Sequence, residues 1–256
     1  APTAQPTDTL PPPTPVPPSA TPAAAYPEPA TQASQPTATQ PKPTATPVAT
    51  LNPTSTYGKP NYQNPMNFPN PGEWAEAETG DLPDTDNLRL QFIDGELYVT
   101  GKRPGFSTWW FTYHTLSDAY IEMTFDTENC SGEDAYGIIF RGPPHKAGES
   151  YGYVVYFSCS GDVVLFRLDS ADPFETKLLL DEEEVDAINT GPNEENVIGV
   201  RAVGDQIAVY ANDVLVGEVE DDEFAQGRVG VFVRAASPDD YSYRLTNFAY
   251  WTLGEN

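Results

Sequence analysis

Residues 196–219 read NVIGVRAVGDQIAVYANDVLVGEV, three short apolar runs punctuated by turn residues. Inside each run apolar and polar side chains alternate, the period of a strand with one buried face. Asn212-Asp213 turns the chain between the last two runs. The same pattern extends in both directions. LRLQF (88–92), Asp94-Gly95 and ELYVT (96–100) predict a tight hairpin, followed by STWWFTY (107–113), AYIEMTF (119–125), AYGIIFR (135–141), YGYVVYF (151–157), DVVLFRL (162–168) and TKLLL (176–180). GRVGVFVR (227–234) and YSYRLTNFAYWTL (241–253) complete about thirteen strands. Asp181–Ile188 is the best candidate for a helical turn, and no 12-residue helical pattern occurs. So many short strands without helices predict an all-β, two-sheet antiparallel sandwich over 73–256.

The 72 residues ahead of it are a different material. Ala1–Gly72 holds 20 of the 27 prolines and 13 threonines, and its charges, Asp8, Glu28, Lys42 and Lys59, cancel. The whole net charge of −25 therefore belongs to the later part. A domain so acidic repels nucleic acid phosphates and anionic membrane surfaces. No 18-residue apolar run exists to insert into a membrane. Proline removes amide donors and fixes φ, so residues 1–59 read as an extended polyproline II arm of up to roughly 180 Å. Thr and Ser among Pro and Ala are the composition of O-glycosylated stalks. The candidate sites are Thr3, Thr7, Thr9, Thr14, Thr21, Thr37, Thr39, Thr44, Thr46, Thr50 and Thr54. Residues 60–72 (PNYQNPMNFPNPG) differ, with Tyr62, Met66 and Phe68 able to anchor an extended piece on its own sheet or a neighbour's.

The start at Ala1, without a charged-then-apolar leader, reads as a signal peptide already removed. Two cysteines are too few for a metal site and suit one disulfide, Cys130–Cys159, the alternative being two buried thiols. If 135–141 and 151–157 form a hairpin, partner numbers sum to about 292. Cys130 and Cys159 sum to 289, so they meet across its open end.

AYGIIFRG with YGYVVYFSCSGDVVLFRL resembles the paired central strands of concanavalin A-like (laminin-G-like) jelly rolls. NVIGVRAVGDQIAVYANDVLVGEVEDDEFAQGRVGVFVRAA is similar to the version in 3-keto-disaccharide-hydrolase-like domains and their non-enzymatic bacterial relatives. The resemblance covers roughly 119–252 and implies a jelly roll, a fold that hosts lectins, glucanases, adhesion modules and structural domains alike.

Glucanases of that superfamily carry Glu-x-Asp-x-x-Glu on one strand. Here Glu122, Asp126 and Glu128 come nearest with the wrong spacing, which predicts no catalytic residue. His114 and His145 stand in no triad arrangement and read as surface or edge residues. No other cofactor is implied; a structural calcium would use Asp126, Asp239 and Asp240. Sugar contact by exposed rings and a few polar groups points to Trp109, Tyr113, Arg141 and Tyr151, with Trp110, Phe111, Tyr153 and Arg167 nearby. Asn129-Cys130-Ser131 fits a glycosylation triplet that a disulfide would disfavour. The first expectation is a secreted structural protein of a bacterial surface or fibre, self-associating through a glycosylated arm. A carbohydrate-binding or adhesion module comes second, and a glycoside hydrolase third.

Overall fold

The computed structural model describes residues 50–67, 71–76, 79–144, 150–171, 174–237 and 239–254. Two compact units divide the chain, Ala1–Thr44 and Ala45–Asn256. The first lies outside the described residues, as do the threonine sites up to Thr46 and the polyproline reading of that stretch. Among the described residues no helix is long and apolar enough to cross a membrane.

The second unit is a sandwich of two antiparallel sheets. Its elements are α1 (Pro53–Tyr57), β1 (Tyr62–Asn64), β2 (Leu88–Ile93), β3 (Glu96–Gly101), β4 (Phe106–Leu116), β5 (Ala119–Asp126), β6 (Ala135–Gly142) and β7 (Gly152–Ser158), then β8 (Val163–Ala171), β9 (Phe174–Glu182), β10 (Glu195–Val203), β11 (Gln206–Ala211), β12 (Val214–Glu220), β13 (Gly227–Ala235) and β14 (Tyr241–Thr252). One sheet has the order β12, β11, β10, β5, β14, β3, β2, with β1 added along β14; the other runs β4, β13, β6, β7, β8, β9. In place of a helical turn over Asp181–Ile188, β9 continues to Glu182 and a tight turn closes from Val185 O to Ile188 N.

Alternation builds the core. Ile121, Met123 and Phe125 of β5 face Val229, Val231 and Val233 of β13 across the interior, while Glu122 and Thr124 point out. Central strand β6 is buried on both faces, which is why AYGIIF reads as one apolar run. Tyr243, buried among Phe125 and Tyr136, donates its hydroxyl to the Phe232 carbonyl at 2.9 Å. The β6–β7 hairpin pairs Ala135 with Ser158 and Tyr136 with Phe157, one residue from the expected register. Cys130 and Cys159 are disulfide-bonded, with Cα atoms 5.4 Å apart.

The sandwich also takes in residues that composition assigned to the arm, so the compact unit starts before Gly72. Asn52 caps the short helix α1 by accepting the Ser55 amide at 2.9 Å, and Pro53 sits where a helix needs no amide donor. Proline content alone therefore did not exclude helix here. Leu51 donates to Asp213 O at 2.7 Å and Trp251 Nε1 to Gly58 O at 2.8 Å. Tyr62, Gln63 and Asn64 pair with Tyr250, Ala249 and Phe248 of the same chain's β14. Met66 is completely buried behind them. Thr50 and Thr54 are exposed on this segment.

His114 is no idle edge residue. Its Nε2 lies 3.0 Å from buried Glu73, which also accepts from Tyr62 Oη and Asn64 Nδ2, each at 2.8 Å. Burial first, and Glu73 second, push the Tyr62 phenol well above its ordinary value. The ring of Tyr62 rests 4.3 Å from that of His114, so one carboxylate clamps β1 to β4. His145 lies outside the described residues.

Replacing both Cys130 and Cys159 by alanine opens a crosslink of separation 29 and lowers unfolding free energy by about 2–4 kcal/mol. Urea titration of the two forms measures this. Equal midpoints would refute it.

Candidate functional site

The outer face of the six-stranded sheet carries rings where a solvated face would carry polar side chains. Register sets out two lateral rows. In one, Trp109, Phe232, Gly137, Tyr156 and Val164 stand side by side on β4, β13, β6, β7 and β8. In the next, Phe111, Gly230, Ile139, Val154, Phe166 and Leu178 cross from β4 to β9. Ile139, Val154, Leu168 and Phe232 are buried, roofed by half-buried Trp109, Phe111, Tyr156 and Phe166.

Two glycines shape this surface. Gly137 stands between Tyr156 and Phe232 without a side chain, and the two rings close over it, 5.3 Å apart and 13° from parallel. Phe166 meets both edge-on, at 6.4 and 6.3 Å. A Cβ on Gly142 would fall 2.1 Å from the Phe111 ring, so that ring lies across the glycine. The Arg228 guanidinium covers Phe111 at 4.7 Å and donates to Pro143 O at 2.6 Å.

Toward β9 the rings give way to a cleft of about 350 Å³. Tyr156, Val164 and Leu178 form its apolar side; Glu133, Asp162, Asp181 and Glu183 form its rim. Burial works against the Asp162 carboxylate. The Glu184 amide and the Ser158 and Ser160 hydroxyls nevertheless hold its pKa below the usual carboxylate range. Burial raises the Tyr156 phenol, with the Arg234 guanidinium hydrogen-bonded to its oxygen and opposing the shift. Leu178 and Phe174 extend the apolar surface on edge strand β9, each 59% exposed.

Of the four sugar-contact candidates, Trp109 lies on this face. Tyr113 and Tyr151 lie at its far end beside Arg228, with Tyr151 stacked on Phe224 at 4.8 Å. Tyr113 donates its hydroxyl to Ala75 O at 2.9 Å. Arg141 is elsewhere: at φ 51 its side chain turns inward, 2% exposed, and donates to Gly204 O and Phe224 O. It ties the two sheets together and cannot meet a ligand. Trp110, Tyr153 and Arg167 also point in; Asp221 accepts from Tyr153 at 2.8 Å and Arg167 at 3.0 Å. Tyr156, Phe166 and Phe232 were missed, and their common signal is the alternation of VVYF, VLFRL and GRVGVFV once strand partners are known.

The calcium set does not assemble. The Arg244 guanidinium binds Asp126 and Glu128, and Glu96 at 2.6 Å, placing fixed positive charge where a cation would sit. Asp239 and Asp240 are exposed, and among the described residues no three His, Cys, Asp or Glu are placed to hold a metal. Asn129 is engaged with Ser242 N and Asp240 O.

No protein-family profile and no curated protein matches this chain. Solved structures do. A protein of unknown function with a galectin-like fold from Bacillus subtilis aligns with a TM-score of 0.57 at 11% identity, over 77% of this chain and 97% of its own. A β-1,3-1,4-glucanase (lichenase) from a mouse hindgut metagenome gives 0.52 at 12%, over 75% and 99%. The Bacillus licheniformis β-glucanase gives 0.50 at 11%, over 75% and 98%. The fold is the concanavalin A-like jelly roll.

Glu122, the nearest approach to a catalytic acid, faces out from the other sheet between Gly199 and Ala249. Burial first and Asp213 second push its pKa up to about 7. Between the ordinary value of 4.5 and about 7 the folded chain keeps a proton that the unfolded chain has lost, so stability falls as pH rises through that window. Glu122→Gln is therefore more stable than the parent by about 1–2 kcal/mol at pH 7.5, a figure discounted for the carboxyl's remaining solvent contact, with the gap closing near pH 4.5. Denaturation at the two pH values tests this; a gap independent of pH contradicts it.

Proposed function

We propose that the chain is a non-catalytic, extracellular carbohydrate-binding module that holds a glycan on the outer face of its six-stranded sheet. The observation that carries this is the platform of Trp109, Phe111, Tyr156 and Phe166, half-buried rings laid over buried Phe232 and contiguous with a cleft. Sugar faces pack on such rings while a few polar groups fix orientation. The disulfide supports an oxidising, extracellular setting. The solved structures that share the fold include proteins named as glucanases, which supports a glycan as ligand. Among the described residues the carboxyls raised by burial, Glu122 and Asp213, stand on the other sheet, which supports binding without hydrolysis.

The surface-assembly reading needs the arm to pack on a neighbour. Its docking piece, residues 61–64, is hydrogen-bonded to the chain's own β14, which favours the sugar-binding reading over it. Self-association and O-glycans on the arm's threonines, with Thr50 and Thr54 exposed, belong to that second reading.

The test is a glycan array followed by tryptophan fluorescence titration. Tyr156→Ala and Trp109→Ala each weaken binding about tenfold or more while the circular dichroism spectrum is retained. Silence of the array with the parent protein, or unaltered affinity in both variants, would sink the reading.

A further inference from the structure

Resting on that reading, we infer that the glycan this face accepts carries free amino groups: a polymer of amino sugars without N-acetylation. The argument is one of charge across an otherwise apolar surface. Tyr156, Val164 and Asp181 are lateral neighbours on β7, β8 and β9, so a carboxylate stands roughly 10 Å, two strand spacings, from the ring platform. A sugar stacked on Tyr156 extends toward β9 over Val164 and Leu178 and meets Asp181 and Glu183, with Asp162 and Glu133 along the same cleft. Four carboxylates and no cation line the cleft among the described residues. Asp162 stays ionised, because two hydroxyls and an amide hold it so.

Of the cations on this face, Arg228 stands apart from the cleft and Arg234 reaches its Tyr156 side. Arg228 lies over Phe111, and Arg234 is held on the Tyr156 hydroxyl; both project from β13. Charge is thus distributed across the sheet, positive on the β13 side and negative toward β8 and β9, with aromatic rings between. A neutral glycan gains only the rings. An ammonium on the sugar gains a carboxylate as well, and the net charge of −25 steers a polycation toward the protein. A bare divalent ion fits less well, since among the described residues no metal-holding group of three forms. A lysine-rich peptide shares the charge but offers no ring face for Tyr156.

The experiment uses the full chain and calorimetric titration with fully de-N-acetylated chitohexaose, N-acetylated chitohexaose, a neutral glucan hexamer, hexalysine and calcium chloride. The expected result is that the amino form binds at least roughly tenfold tighter than the acetylated and neutral forms. That advantage shrinks in about 0.5 M salt, where charges are screened within roughly 4 Å. It is lost in Asp181→Asn/Glu183→Gln, while that variant keeps the parent's melting temperature and its weak affinity for the neutral glucan. Equal affinity for all three glycans overturns the amine inference and leaves the carbohydrate reading standing. Binding of none overturns both. Hexalysine bound as tightly as the amino glycan, with the same loss in the variant, assigns the face to a basic peptide and overturns the inference. Calcium heats that vanish in the variant do so in favour of a metal.

Discussion

The last strand holds the sandwich together. β14 pairs with β5 over nearly its whole length, and along its other edge first with β3 and then with β1. Its inward side chains Tyr241, Tyr243, Leu245 and Phe248 are completely buried. Trp251 donates outward to Gly58. Amides from both termini of the unit therefore depend on one strand, and the core aromatics Phe125 and Tyr136 pack against the ring of Tyr243 that it carries. The sheets themselves stay open, with β12 and β2 at the edges of one and β4 and β9 at the edges of the other.

The two outer faces are finished in opposite ways. On the eight-stranded sheet the chain covers itself: Leu51 and Tyr57 pack on Tyr120, Tyr210 and Trp251, and β1 completes the edge. On the six-stranded sheet the roof is made of its own rings, which remain half-buried, and the apolar surface runs out to Leu178 on β9. An apolar face of this extent stands out on an otherwise acidic surface. Gly142 helps make it continuous, because the Phe111 ring lies where a side chain would otherwise stand, while at Gly137 a Cβ would strike the Val155 carbonyl and the Tyr156 backbone.

Much of this was readable from periodicity. The strands, the β6–β7 pairing to within one residue and the disulfide follow from alternation and from where two cysteines fall beside one hairpin. The docking of 50–67 was hidden because twenty prolines dominate the composition around it, although Asn52-Pro53 already has the form of a capped helix start. Arg141 misled because a left-handed backbone at one residue reverses the side to which it points, and periodicity assumes no such break. Tyr156 and Phe232 lie 76 residues apart in sequence and touch only because β6 separates their strands and has a glycine between them. That contact depends on sheet order, which no local pattern contains.

The way in which residues 50–64 are fastened has a mechanical consequence. Their attachments come in chain order: Thr50 to Val214, Leu51 to Asp213, Gly58 to Trp251, then the three residues of β1 on β14. Tension arriving from the N-terminal side loads these one after another, each held by one or two hydrogen bonds. The last two end on β14, so the load passes to the strand that carries Tyr243 and Phe248 into the core. A pull on the N-terminal side of this segment is therefore felt by the strand on which both sheets' aromatic packing depends.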